Sequence, residues 1–215
     1  MPADDREALD RAADAAASGA RDLAPDEATA LVGSAAGDPD PRVRAAALGA
    51  LTRAGTAAEA LPAWARAARD PSSAVRRRAA ETAPVLGAGP ALGDLLALLH
   101  DDDIWVAEAA AFALGERDDL SATAVRALAD VAVDHADPLV RESAVAALGA
   151  IGDPAGLAAV LHGCADKPAI RRRAVLALAA FDGTEVEAAL ERALDDADWQ
   201  VRQNAEDLLR ESAEE

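Results

Sequence analysis

The stretch Asp137-Pro138-Leu139-Val140-Arg141, continued by Ala144, Ala147 and Leu148, decides how this chain is read, because its centre is one of six copies. The copies are Val43-Arg44, Val75-Arg76, Val106-Ala107, Val140-Arg141, Ile170-Arg171 and Val201-Arg202, and the steps between them are 32, 31, 34, 30 and 31 residues. Four positions after each β-branched residue stands an alanine: Ala47, Ala79, Ala110, Ala144, Ala174 and Ala205. Eight positions after it stand Leu51, Ala83, Leu114, Leu148, Leu178 and Leu209. Steps of four and eight mark one helix face, and a period near thirty marks stacked helical pairs. Each pair buries its apolar face only against its neighbours, so the chain presents an extended surface suited to binding.

The punctuation fits the period. In the fourth unit a helix A is predicted from about Ser121 to Val133, followed by the turn Asp134-His135-Ala136-Asp137. Asp137-Pro138 reads as an N-cap with proline in the first helical position. Helix B then carries Val140, Ala144, Ala147, Leu148 and Ile151 on one face, with Gly149 and Gly152-Asp153-Pro154 expected to end it. The same cap recurs at Asp40-Pro41, Asp103 and Asp198. Pro84 should stop the second helix B early, and Pro62 falls in the first turns of its helix A. The expected repeats span residues 24–55, 56–87, 88–119, 120–152, 153–181 and 182–215. Residues 1–23, with an Ala-rich segment over 4–18, read as an N-terminal capping helix of the same domain. The charged end, Glu211 to Glu215, is expected to be mobile.

Arginine follows the β-branched residue in five of the six copies, about 100° round the helix at the edge of the buried face. Asp38, Asp70, Asp101 and Asp196 each stand five residues before that residue. A structural Asp–Arg ladder along the stack is the natural reading. Ala107 interrupts the arginine column in the third unit.

These residues resemble HEAT repeats, particularly the bacterial and archaeal kind first known from phycobilin lyase subunits. The matching text is Asp38-Pro39-Asp40-Pro41-Arg42-Val43-Arg44 with Ala47 and Leu51, and Asp137 to Arg141 continued by Ala147-Leu148-Gly149-Ala150-Ile151-Gly152-Asp153-Pro154. The resemblance covers roughly residues 25 to 211. It implies an all-α fold, a right-handed α-solenoid superhelix of about six HEAT repeats, with helix B lining the concave face. It implies little about function, since the family consists mostly of scaffolds and binding modules. An enzyme or enzyme subunit of the phycobilin lyase-like type is the alternative that it leaves open.

Composition bounds the chemistry. The net charge of −18 repels polyanions and anionic membranes overall and favours basic partners. Twenty of the 21 basic residues are arginine. Cys164 is the only cysteine, so no intrachain disulfide forms. The polar start shows no secretory signal, and no apolar run of membrane length occurs. A cytoplasmic monomer is expected. There is no Gly-x-Ser-x-Gly, no phosphate loop and no tyrosine, and no catalytic constellation or cofactor motif is found.

Three histidines invite a metal reading. His100 and His135 lie in acidic turns beside Asp101, Asp102, Asp103, Asp134 and Asp137, where a divalent cation is conceivable. Asp as N-cap accounts for the same residues more simply. His162 and Cys164 form a lone HxC pair with no second pair to complete a zinc site. HEAT-like deoxyhypusine hydroxylases hold iron through His-Glu dipeptides, and none exists here. HEAT-like alkylpurine DNA glycosylases read DNA on a basic face, which this acidic chain does not offer.

The leading function is therefore a non-catalytic protein-interaction scaffold that binds a peptide or helix on its concave face. With the Val as zero, positions −1, +2, +6 and +9 of helix B should point away from the core and be polar. The middle of the chain departs from this: Trp105 and Leu139 stand at −1, and Phe112 and Leu176 at +6. Helices about 8–10 Å apart make these one patch roughly 20 Å long. Glu108 and Glu142 hold +2 inside it, open to basic residues of a partner, and Arg77 and Arg172 frame it, open to acidic ends. The alternative is that the large side chains tuck against the next repeat. Trp64 and Phe181 are expected in the core, and Trp199, beside a cap, fits either environment.

The charge sets one expectation directly. Anisotropy titration with labelled duplex DNA at ~150 mM salt should show no sub-micromolar binding, and a sub-micromolar Kd there contradicts the charge argument.

Overall fold

The computed structural model describes residues 25–54, 57–87, 89–90 and 92–214, together with Glu7, Asp10, Ala13 and Asp14. These four early positions are helical, and the rest of the expected capping segment lies outside the described residues. The described residues contain twelve α-helices, no strands and three short 3-10 turns. The helices are α1 Pro25–Gly37, α2 Pro41–Ala54, α3 Ala57–Ala67, α4 Ser73–Thr82, α5 Leu92–Leu99 and α6 Ile104–Gly115, then α7 Ala122–Asp134, α8 Pro138–Ile151, α9 Leu157–Gly163, α10 Pro168–Ala177, α11 Thr184–Ala193 and α12 Trp199–Glu214. The fold is all-α, of the helical-repeat solenoid class. No helix among the described residues is long and apolar enough to cross a membrane.

Two compact units divide the chain, Met1–Ala113 and Leu114–Glu215, with the boundary in the last turn of α6. Within each unit like packs on like. In the first, α1 lies against α3 and α2 against α4. In the second, α7 lies against α9, and α8 and α12 both lie against α10. The alanine column explains this closeness: all six alanines four positions after the β-branched residue are 0% exposed. Val43, Val75, Val106, Val140, Ile170 and Val201 are buried beside them. With methyl groups between them, helix backbones approach closely, and strong helix propensity keeps the thin core ordered.

The caps form as the sequence predicts. Asp40, Asp103, Asp137 and Asp198 each accept the backbone N–H two residues on, at 2.8 to 3.0 Å. The Ser121 hydroxyl accepts from Ala124 N at 3.3 Å and starts α7. Helix α4 ends at Thr82, before Pro84, as expected. Buried Trp64 completes that end by donating its indole N–H to the Ala79 carbonyl at 2.6 Å. Helix α12 runs through the expected mobile tail as far as Glu214.

Two expectations fail and are informative, while the stop expected at Gly152 forms. Gly149 does not end α8, and Gly115 and Gly149 of the +9 column do not point away from the protein, although Ala179 and Arg210 in the same column are exposed. The helix continues to Ile151 and closes at Gly152, whose φ of 64° is left-handed and whose N–H donates to Leu148 O at 3.0 Å. A methyl group placed on Gly149 would lie 2.5 Å from Ala177 Cβ and 2.8 Å from its Cα, and one on Gly115 would lie 2.9 Å from Ala147 Cα. These glycines are where one helix B touches the next, +9 against +7.

The predicted ladder forms in both units, and its geometry is regular. Arg44 donates through Nε and Nη2 to Asp70 at 2.8 and 2.7 Å, and Arg76 to Asp101 at 2.6 and 2.8 Å. Arg141 reaches Asp166 at 2.8 and 3.0 Å, and Arg171 reaches Asp196 at 2.7 and 2.8 Å. Each Nη1 turns back to its own repeat, to the carbonyls of Asp38, Asp70, His135 and Asp166 at 2.7 to 2.9 Å. The carboxylates also accept backbone N–H groups of Ser72, Asp103, Lys167 and Asp198. Side-chain exposures of only 9% to 20% along these pairs keep them from the full screening of surface ion pairs.

The ladder marks the titration of its members. Asp101, Asp166 and Asp196 are held below the ordinary carboxyl value of 3.8, chiefly by the arginine hydrogen bond. At Asp70 burial opposes ionisation most strongly, yet the Arg44 and Ser72 hydrogen bonds outweigh it and the value is again lowered. Depressed folded values mean that this stability is present above the unfolded value and is lost as pH falls through the folded ones.

Two substitutions test the packing. Ala144→Leu should overfill the column and cost about 1–3 kcal/mol, and Gly149→Ala should cost a similar amount through helix separation. Urea denaturation measures both, and unchanged midpoints would mean the helix register is wrong.

Candidate functional site

Caps and ladder fix the rotation of each helix B, so residues off the buried columns stand on its open face. On α6, Trp105, Glu108 and Phe112 follow at intervals of three and four, the spacing of one helix face. Asp103 anchors this turn by accepting the Trp105 N–H at 3.0 Å. Trp105 is 49% exposed and Phe112 56% exposed, so neither is tucked away. Glu108 lies between them, half-buried. The Arg77 guanidinium of α4 stacks over the Trp105 ring, 5.5 Å from its centroid. That distance is within cation–π range. Arg77 Nε also donates to Glu81 at 2.7 Å.

Beside this pair the first unit has a groove of about 650 Å³. Its floor is small, with Ala45, Ala46 and Gly49 from α2 and Ala74 from α4. Arg42, Arg53, Arg77 and Arg78 surround it with Glu81 and Asp103, and Trp105 closes one end. The sequence marks Arg77 and Trp105 but not this groove. It is formed by the absence of side chains, which a search for large residues passes over.

The second unit carries the other expected residues. Leu139 of α8 is half-buried, its N–H held by Asp137 at 2.8 Å, and Glu142 is half-buried one turn on. Leu176 of α10 is 46% exposed. Arg172 is engaged within the protein, with Nε 3.2 Å from Asp198 Oδ2 and Nη1 donating to Gln200 at 2.9 Å. Trp199, left open by the sequence, is 65% exposed, whereas Trp64 at 1% and Phe181 at 9% are core.

Among the histidines, His135 has a structural role. His135 stands where other repeats have the ladder aspartate, and its Nδ1 accepts the Asp137 N–H at 3.1 Å in the same way. Among the described residues no group of three or more His, Cys, Asp or Glu side chains is arranged to hold a metal ion. Burial pushes the Cys164 thiol up to about 11, although Arg192 pulls the other way, so little thiolate forms at neutral pH.

With this geometry in hand, the comparisons are consistent with one another. Residues 92–169 match the model of the family described as HEAT repeats. Among solved structures, the chain is similar to Escherichia coli YibA, with 19% identity, a TM-score of 0.69, and 91% of this chain and 74% of that one covered. It is similar to a designed armadillo repeat protein in complex with the peptide (KR)4, with 20% identity, a TM-score of 0.62, and coverage of 86% and 98%. Human deoxyhypusine hydroxylase in complex with glycerol follows at 23% identity, a TM-score of 0.50, and coverage of 97% and 81%. At these identities the likeness is one of fold. No curated protein matches the sequence. Residues 92–169 carry HEAT repeats, and the chain as a whole shares the helical-repeat fold of these structures.

Proposed function

We propose that this protein is a non-catalytic interaction scaffold that holds a peptide or helix of a partner protein on the open faces of its B helices. The observation that carries the reading is the Trp105–Phe112 face of α6. Two large rings stay about half exposed there, on positions where solvation alone favours polar residues. Aromatic side chains give much contact area at little entropic cost and dominate many interfaces. The fold supports the same reading, because the designed armadillo protein that resembles it is a peptide binder.

In the first unit the partner site comprises Arg77, Trp105, Glu108 and Phe112, and in the second Leu139, Glu142, Leu176 and Arg172. Glu108 and Glu142 suit basic residues of the partner, in keeping with the net charge of −18. Arg77 and Arg172 suit acidic ones, Arg172 by exchanging its ion pair with Asp198 and its hydrogen bond to Gln200. The monomer acts in the cytoplasm in this reading.

The test is a Trp105→Ala/Phe112→Ala double variant. Circular dichroism and melting should stay close to the parent, since both side chains are exposed. Binding of the partner captured by the parent chain and identified by mass spectrometry should weaken by at least about 2 kcal/mol. Unfolding, or full retention of the partner, assigns these rings to packing.

A further inference from the structure

We propose that the groove between α2 and α4 of the first unit takes an acidic peptide segment, one with two or more Asp or Glu side chains next to an apolar residue. This rests on the scaffold reading and specifies its ligand. The first ground is charge. The chain carries −18, yet four arginines and two carboxylates line the groove, and with Asp40, which pairs with Arg42 at 2.7 Å, the local balance is +4 − 3 = +1. The surplus sits against the sign of the whole molecule.

The second ground is how the charges are arranged. One carboxylate, Glu81, serves two guanidinium groups, Arg77 at 2.7 Å and Arg78 at 3.1 Å. The other, Asp103, already accepts the Trp105 N–H. Arg53 makes no ion pair or hydrogen bond among the described residues. Arg53 and Arg78 nevertheless converge on one spot. A methyl group placed on Gly49 would lie 3.3 Å from Arg53 Nη1 and 3.6 Å from Arg78 Cδ. Gly49 is buried beneath these two side chains, and two like charges held this close favour an anion beside them.

The third ground is shape. Ala45, Ala46 and Ala74 on the floor let a peptide backbone come close, while Trp105 supplies an apolar wall at one end. Arg42 and Arg53 are eleven residues apart on α2, a rise of about 16 Å, which an extended segment of roughly five residues spans. A longer polyanion such as nucleic acid meets the acidic remainder of the chain, so the groove suits a short acidic stretch within a mixed-charge partner.

The experiment uses the full chain as bait for a random peptide library of roughly 12 residues, longer than the groove requires. Recovered peptides should be enriched in Asp and Glu over the input. By anisotropy they should bind Arg53→Ala/Arg78→Ala at least about tenfold more weakly, and Glu81→Gln more tightly. Both variants change exposed or half-exposed side chains, and circular dichroism confirms their folding. Recovered peptides that lack acidic residues, or that bind the arginine variant unchanged, overturn this proposal. If those peptides still lose affinity for Trp105→Ala/Phe112→Ala, the scaffold reading stands without it. Recovery of no peptide overturns both, and tighter binding of an oligonucleotide than of any peptide replaces the acidic peptide with nucleic acid.

Discussion

Arg76 gives two bonds to the carboxylate of Asp101 in the next repeat and a third to the Asp70 carbonyl in its own turn. That three-way tie recurs with Arg44, Arg141 and Arg171, and the rest of the fold is built around it. A guanidinium is planar, and here its Nε and Nη2 always form the fork on the carboxylate, which sets direction as well as distance. Each tie therefore fixes both the distance and the rotation between successive pairs. The aspartate that receives it also orders the turn before the next helix B, so cap, turn and repeat spacing are set together.

The apolar core makes such a device useful. Its columns are largely alanine and valine, and the +9 glycines of α6 and α8 bring backbone against backbone. Small side chains pack densely but interlock little, so sliding one helix along another loses few contacts. A directional, half-buried ion pair penalises that sliding, because a displaced partner leaves a poorly solvated charge behind. The same alanines leave the open faces shallow, and this is why a groove exists beside α2 and α4.

The regular features were legible because they repeat. Six copies of one phrase fixed helix rotation, and the rotation sorted Val140, Ala144 and Leu148 inward and Trp105 and Phe112 outward. What escaped depended on features too small or too irregular to stand out. Asp166 was missed because the fifth turn is one residue shorter and places it four, not five, positions before Ile170. Gly149 looked like a stop signal, since sequence does not distinguish a glycine that ends a helix from one that admits a neighbour. The groove is made by Ala45, Ala46, Gly49 and Ala74, residues that carry no chemical signal, and its arginines are noticed only once Arg53 and Arg78 are seen to meet over Gly49. His135 is a third case: the fold uses it as a ladder aspartate is used toward the backbone, though it carries no carboxylate for an arginine.

If the tie between repeats governs the fold, its two ends must act as one unit. A double-mutant cycle on Arg141→Ala and Asp166→Ala, followed by urea denaturation, measures this directly. The account predicts a coupling of at least about 1 kcal/mol, with the double variant little worse than either single one. Losses that add within about 0.3 kcal/mol would show the two residues to be independent and would contradict the claim that this pair holds the repeats in register.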